Sequence, residues 1–188
     1  ADGSVKLGEF VKFSVRDPKD NRWSHTGKIP DPVWSYAFLT PQSGHAGKDS
    51  IAPAARWTAP KDMTVRLVGH LKKASPQGNG VRGFVLSSRT GAVKDVLVAP
   101  GRMEAIVVDK LEVRVGETVT FAIGCEGDTN SDSFEWKLAV FEGDHLITDA
   151  KQDFCGADGW PLNRTKPQTP LAQLAQVLMM SNEFQFVD

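Results

Sequence analysis

One tyrosine, two cysteines and four methionines occur in 188 residues, and neither sign of charge prevails, with 22 lysines and arginines against 23 aspartates and glutamates. A net charge of -1 gives the chain no electrostatic hold on nucleic acid or on an anionic membrane surface, so neither is expected as a partner. No run approaches the roughly 18 apolar residues that a membrane span requires, so no span is expected. The opening Ala-Asp-Gly-Ser has no charged-then-apolar leader pattern, which fits either a leader already removed or a piece of a longer protein.

The two cysteines, Cys125 and Cys155, have no close cysteine or histidine partner in sequence, which speaks against a structural zinc site. In an exported protein they could form a disulfide, and spacing alone leaves bridged and reduced forms open. The four histidines, His25, His45, His70 and His145, are scattered, and neither His-x-x-x-His nor Gly-x-Ser-x-Gly occurs. Catalysis is therefore not expected. His70 closes an alternating segment and reads as a sheet residue, while His25 and His45 fall in loops.

What the sequence does have is alternation. Residues 5–15 have a period near two, and Val33–Leu39 reads as a short aromatic strand among long Pro, Gly, Ser, Asn and Asp-rich loops. Residues 63–71 place Met63, Val65, Leu67 and Gly69 on one face. Gly78-Asn79-Gly80 and Thr90-Gly91 are turn chemistry. Further strands are expected over 81–88, 93–98, 104–108, 111–115, 118–123 and 133–141, and in the last of these Phe134, Trp136, Leu138 and Val140 share a face. Short strands at near-regular spacing with no helical period before residue 145 predict an all-β fold, an antiparallel, jelly-roll-like β-sandwich over 1–145.

Residues 146–188 read differently, as loop to about 169 and then a C-terminal α-helix opened by Thr169-Pro170. Leu171, Leu174, Ala175 and Leu178 fall at helical spacing. A helix this apolar is expected to dock on the sandwich or on a neighbouring domain.

Two groups of residues suggest binding chemistry. Trp and Tyr rings stack on the flat C–H faces of sugars, whose hydroxyls then need polar side chains in plane. Trp23, Trp34 and Tyr36, interleaved with Arg22 and His25, make the candidate carbohydrate site. Trp23 is the best candidate for an exposed ring, and Trp34 and Tyr36, two apart, are expected on one face. Arg22 and His25 would recognise hydroxyls, or anions if the glycan is sulfated or uronic. Trp57 and Trp136 read as core. The second group is the acidic loop 126–132. Asp128, Asn130 and Asp132, with Glu9, offer oxygen ligands for a structural calcium, and a solvated turn whose side chains bond their own backbone is the competing reading. No other cofactor is expected.

The motifs Trp34-Ser35-Tyr36, Ala55-Arg56-Trp57-Thr58-Ala59-Pro60, Gly80-Val81-Arg82, Val115–Phe121 and Asp132–Trp136 resemble the carbohydrate-binding-module-like sandwich of large planctomycete secreted proteins. The tail, 170–188, resembles the C-terminus of planctomycete cytochrome-associated proteins built from domains of unknown function. Ala37 stands where that pattern often carries glycine. The resemblance implies a secreted or periplasmic accessory module that binds polysaccharide beside other domains of its parent protein. No Cys-x-x-Cys-His occurs, so the chain is not expected to hold haem itself. The alternative function is a structural or interdomain docking module with no ligand of its own.

Overall fold

The structure, a computed structural model, describes residues 11, 13–48 and 51–153. Twelve strands follow in order: β1 (Val15–Asp17), β2 (Arg22–Ser24), β3 (Phe38–Leu39), β4 (Ser43–His45), β5 (Ala54–Thr58), β6 (Met63–Lys72), β7 (Val81–Ser87), β8 (Gly91–Val98), β9 (Met103–Val113), β10 (Thr118–Cys125), β11 (Ser133–Glu142) and β12 (His145–Asp149). A single helical turn, α1 (Ala150–Asp153), ends the described chain. All strand pairings are antiparallel, and they form an eight-stranded sheet ordered β1-β2-β3-β4-β11-β6-β9, with β12 also on β11, and a four-stranded sheet ordered β5-β10-β7-β8. The fold is the expected all-β sandwich.

The core is built from the alternation read in the sequence. Met63, Val65, Leu67 and Leu71 of β6 and Phe134, Trp136, Leu138 and Val140 of β11 are buried, as are Val81 and Val85 of β7 and Phe121 and Ile123 of β10. Between the sheets the rings of Phe121 and Trp136 stack at 5.3 Å and 28°. Trp57 and Trp136 are each 1% exposed, so both fill the core. Removing a ring of this size from a packed interior costs about 3–5 kcal/mol.

Four expectations need correction. The strands expected at 104–108 and 111–115 are one strand, β9. Val65 pairs with Leu111 and Leu67 with Val108, so Asp109 and Lys110 together oppose Arg66. The extra residue is a bulge, which breaks the alternation without turning the chain. The aromatic strand expected over Val33–Leu39 shrinks to Phe38–Leu39, because residues 31–35 close a turn on themselves. The sandwich also runs past residue 145, since β12 pairs along β11 within the segment read as loop. Val11 and Phe13, from the strand expected over 5–15, lie outside regular structure. The helix expected over 170–188 and the partner thiol Cys155 fall outside the described residues.

One glycine on this scaffold sets the approach of two strands. A Cβ on Gly44 in β4 would stand 2.7 Å from the Phe38 carbonyl oxygen and press on the Phe134 ring. Gly44→Ala is therefore expected to lower stability by about 1–3 kcal/mol and to shift the β3–β4 hairpin, measured by denaturant unfolding.

Candidate functional site

A hairpin, a turn and a loop from distant parts of the chain meet at one end of the larger sheet. The β3–β4 hairpin is closed by Thr40. Its amide donates to the Ser43 carbonyl at 2.8 Å, and its Oγ1 accepts from the Ser43 amide at 2.9 Å, a side-chain-stabilised turn with Pro41 at its tip. Trp136 holds this hairpin to the core. Its backbone amide donates to the Gln42 carbonyl at 2.8 Å and its indole Nε1 to the Thr40 carbonyl at 3.1 Å.

β4 then pairs with the start of β11, Ser133 opposite His45. That register sets the 126–132 loop beside the hairpin. Within the loop Asp128 Oδ1 accepts from the Asn130 amide at 2.8 Å, and its Oδ2 accepts from Asn79 Nδ2 at 3.2 Å, which ties the loop to the β6–β7 turn. The Ala46 amide donates to the Asp132 carbonyl at 3.2 Å. Beneath, Lys73 Nζ donates to the Ser131 carbonyl and stands 3.5 Å from Asp132 Oδ1, with both side chains fully buried.

Above this frame lies an open groove of about 590 Å³, lined by Tyr36, Phe38 and His45 and by residues 128–131 and Ser133. Tyr36 is 44% exposed and its ring lies 5.3 Å from that of His45. Phe38 lies 6.4 Å from the same imidazole. The groove thus pairs aromatic surface with hydroxyl, amide and carboxylate groups, the combination that a polyol with apolar faces requires.

Two groups here depart from their ordinary protonation. Burial pushes the Asp132 carboxyl up to about 6, with repulsion from Asp128 in the same direction and attraction to Lys73 opposing it. Burial also lowers the His45 imidazole below its ordinary 6.5, and the charge of Lys73 adds to that, against the bond between its Nδ1 and the Ala46 carbonyl. That bond is 2.7 Å. With the ring neutral, Nδ1 carries the proton and Nε2 is left as acceptor.

The predicted sugar-binding residues divide between two places. Tyr36 is in the groove. Trp34 instead stacks on His25 at 4.0 Å and 21°, inside a turn built around Asp31. The buried Asp31 carboxylate accepts from the amides of Val33 and Trp34, each at 2.8 Å, from Thr26 Oγ1 at 2.6 Å, and meets His25 Nδ1 at 3.3 Å. Ser35 follows with φ of 57°. A left-handed residue between Trp34 and Tyr36 ends the alternation that would have set both rings on one face.

Trp23 is half-buried and packs against the core. Its Nε1 is buried with no hydrogen-bond partner among the described residues, and the Arg16 guanidinium lies 5.7 Å from its ring centroid. It is not the exposed platform expected of it. Arg22 lies 5.7 Å from the Phe38 ring centroid, paired with Asp17 at 3.1 Å and Asp20 at 3.6 Å.

The hydrogen bonds to Asp31, that from Thr26 foremost, hold its carboxyl well below the usual carboxylate range. A depressed carboxyl stabilises the fold fully above its ordinary value of 3.8 and loses that contribution as pH falls further. Acid titration followed by near-ultraviolet circular dichroism should show the Trp34 environment persisting through pH 3.8 in the native protein and weakened at every pH in Asp31→Ala.

For the calcium reading, Asp128 and Asn130 line the groove, whereas Asp132 faces the Lys73 ammonium and not open space. Glu9 lies outside the described residues. Among the described residues no three His, Cys, Asp or Glu side chains gather as a metal set. Sequence alone does not single out Phe38, Thr129, Ser131 or Ser133, and His45, expected in a loop where a binding role is possible, lies in β4. The pairing of β4 with β11, across almost ninety positions (45 to 133), is what assembles them. Compared with known proteins, the sequence matches no family model and no curated protein.

Proposed function

We propose that this chain is a non-catalytic carbohydrate-binding β-sandwich, an accessory module of a larger exported protein, with its site in the groove between Tyr36 and the 128–133 loop. The observation that carries the reading is the exposed Tyr36 ring set beside hydroxyl, amide and carboxylate groups in one groove. A sugar ring would stack on Tyr36, with Phe38 and His45 extending the apolar surface. Thr129, Asn130, Ser131 and Ser133 would meet its hydroxyls. Trp34 and His25 serve this site by shaping the turn that presents Tyr36, and Trp23 serves it by holding β2 against the core.

Native gels cast with soluble polysaccharides test the reading. Retardation by at least one polymer, lost in a folded Tyr36→Ala variant, is the expected result. Retardation by none, or retardation indifferent to Tyr36, would turn attention to the docking-module alternative and to residues 170–188.

A further inference from the structure

The charge of the groove limits the kind of polymer it can take, an inference that rests on the carbohydrate reading. The carboxylate among its lining residues is Asp128, and neither lysine nor arginine lines it among the described residues. Each oxygen of Asp128 accepts one hydrogen bond from a neutral donor, Asn79 Nδ2 or the Asn130 amide. Among the described residues no cation neutralises it there, and both oxygens keep further accepting capacity.

Four of the basic groups close by are already engaged. Lys73 is sealed below the loop with Asp132 and the Ser131 carbonyl. Arg22, behind Phe38, holds Asp17 and Asp20. His25 is held by Asp31 under Trp34. His45 is buried with Nδ1 bonded to a carbonyl, and burial favours its uncharged form.

A sulfate or uronate entering this groove would meet Asp128 with no counter-cation among the described lining residues, and like charges placed together are how binding sites reject wrong partners. A sugar hydroxyl finds acceptors there, and an amino group finds a carboxylate. The remaining groups suit the same ligand, because the hydroxyls of Thr129, Ser131 and Ser133 both donate and accept. We infer that the groove takes neutral or amino-sugar polymers and rejects those bearing uronate or sulfate. This reverses the anion-recognising role that sequence suggested for Arg22 and His25.

The test is affinity electrophoresis and titration calorimetry of the whole chain at about pH 7, with mannan, soluble β-glucan and chitosan oligomers against alginate and carrageenan. Variants are Tyr36→Ala, Asp128→Asn and Asp128→Lys. We expect binding to a neutral or amino polymer, weakened about tenfold or more by Tyr36→Ala. For chitosan, Asp128→Asn should weaken binding roughly fivefold. Asp128→Lys should gain affinity for alginate by about tenfold at low salt. Asp128→Asn keeps the side-chain shape, so it carries the charge test should the lysine variant fold poorly.

Alginate or carrageenan bound at least as tightly as the neutral polymers, with loss in Tyr36→Ala, would overturn the charge inference while leaving the carbohydrate site standing. Binding that is unchanged by both Asp128 variants across charged polymers would overturn it too. Failure of the wild-type chain to bind any of the five polymers would overturn the carbohydrate reading itself, and this inference with it.

Discussion

Replacing Lys73 by methionine should lower stability by about 3–5 kcal/mol near neutral pH, the usual consequence of leaving one member of a buried ion pair alone. The Asp132 carboxylate left behind is fully buried, and no hydrogen bond reaches either oxygen among the described residues. The effect should depend on pH in a defined sense. A carboxyl raised from 3.8 to about 6 stabilises the fold fully below pH 3.8 and loses that contribution as pH rises through about 6. Without Lys73 the carboxyl rises further, so the cost of Lys73→Met should be largest above pH 6 and shrink towards pH 5. His45 acts in the opposite sense, its contribution being present above 6.5 and lost as pH falls. Losing Lys73 removes one cause of the His45 shift. Urea unfolding at several pH values measures this, and the double variant Lys73→Met with Asp132→Leu should recover most of the loss. A Lys73→Met variant as stable as the wild type at pH 7.5 would show that the pair does not anchor the loop.

The second large effect separates two aromatic residues that the sequence makes look alike. Tyr36→Ala should weaken polysaccharide binding by about tenfold or more, a loss of 1.4 kcal/mol or above in binding. It should leave stability within about 0.5 kcal/mol, as expected of an exposed side chain. Trp23→Ala should do the reverse on stability, costing about 2–4 kcal/mol because a half-buried indole packed on the core leaves a cavity. Thermal unfolding and calorimetric titration of both variants decide the matter. Equal losses of binding at full stability would return Trp23 to the site.

The contrast shows what was legible in the sequence. Strands whose neighbours alternate cleanly, β6 and β11 above all, were readable because one face of each meets the opposite sheet. The inward positions of Trp57 and Trp136 followed from the same pattern. β9 was misread because its bulge opposite Arg66 shifts the period, and alternation carries no mark that distinguishes a bulge from a break. Around the site the failure was conformational. Asp31 gathers four donors and Ser35 turns left-handed, so two residues of separation no longer meant one face. Asp128 and Asn130 were found as an oxygen-rich loop, yet their neighbours across the groove come from a hairpin more than eighty positions earlier. No local signal links Thr129 or Ser133 to Tyr36. Register between β4 and β11 makes that link, and register is a property of the whole sheet.

The groove as a sugar site is the central claim, and a two-dimensional ¹H–¹⁵N titration of the chain with a neutral oligosaccharide tests it most directly. The account predicts that the largest shift changes cluster at Tyr36, Phe38, His45 and residues 128–133, and disappear in Tyr36→Ala. Changes concentrated on the four-stranded sheet β5-β10-β7-β8, or none anywhere at about millimolar ligand, would contradict it.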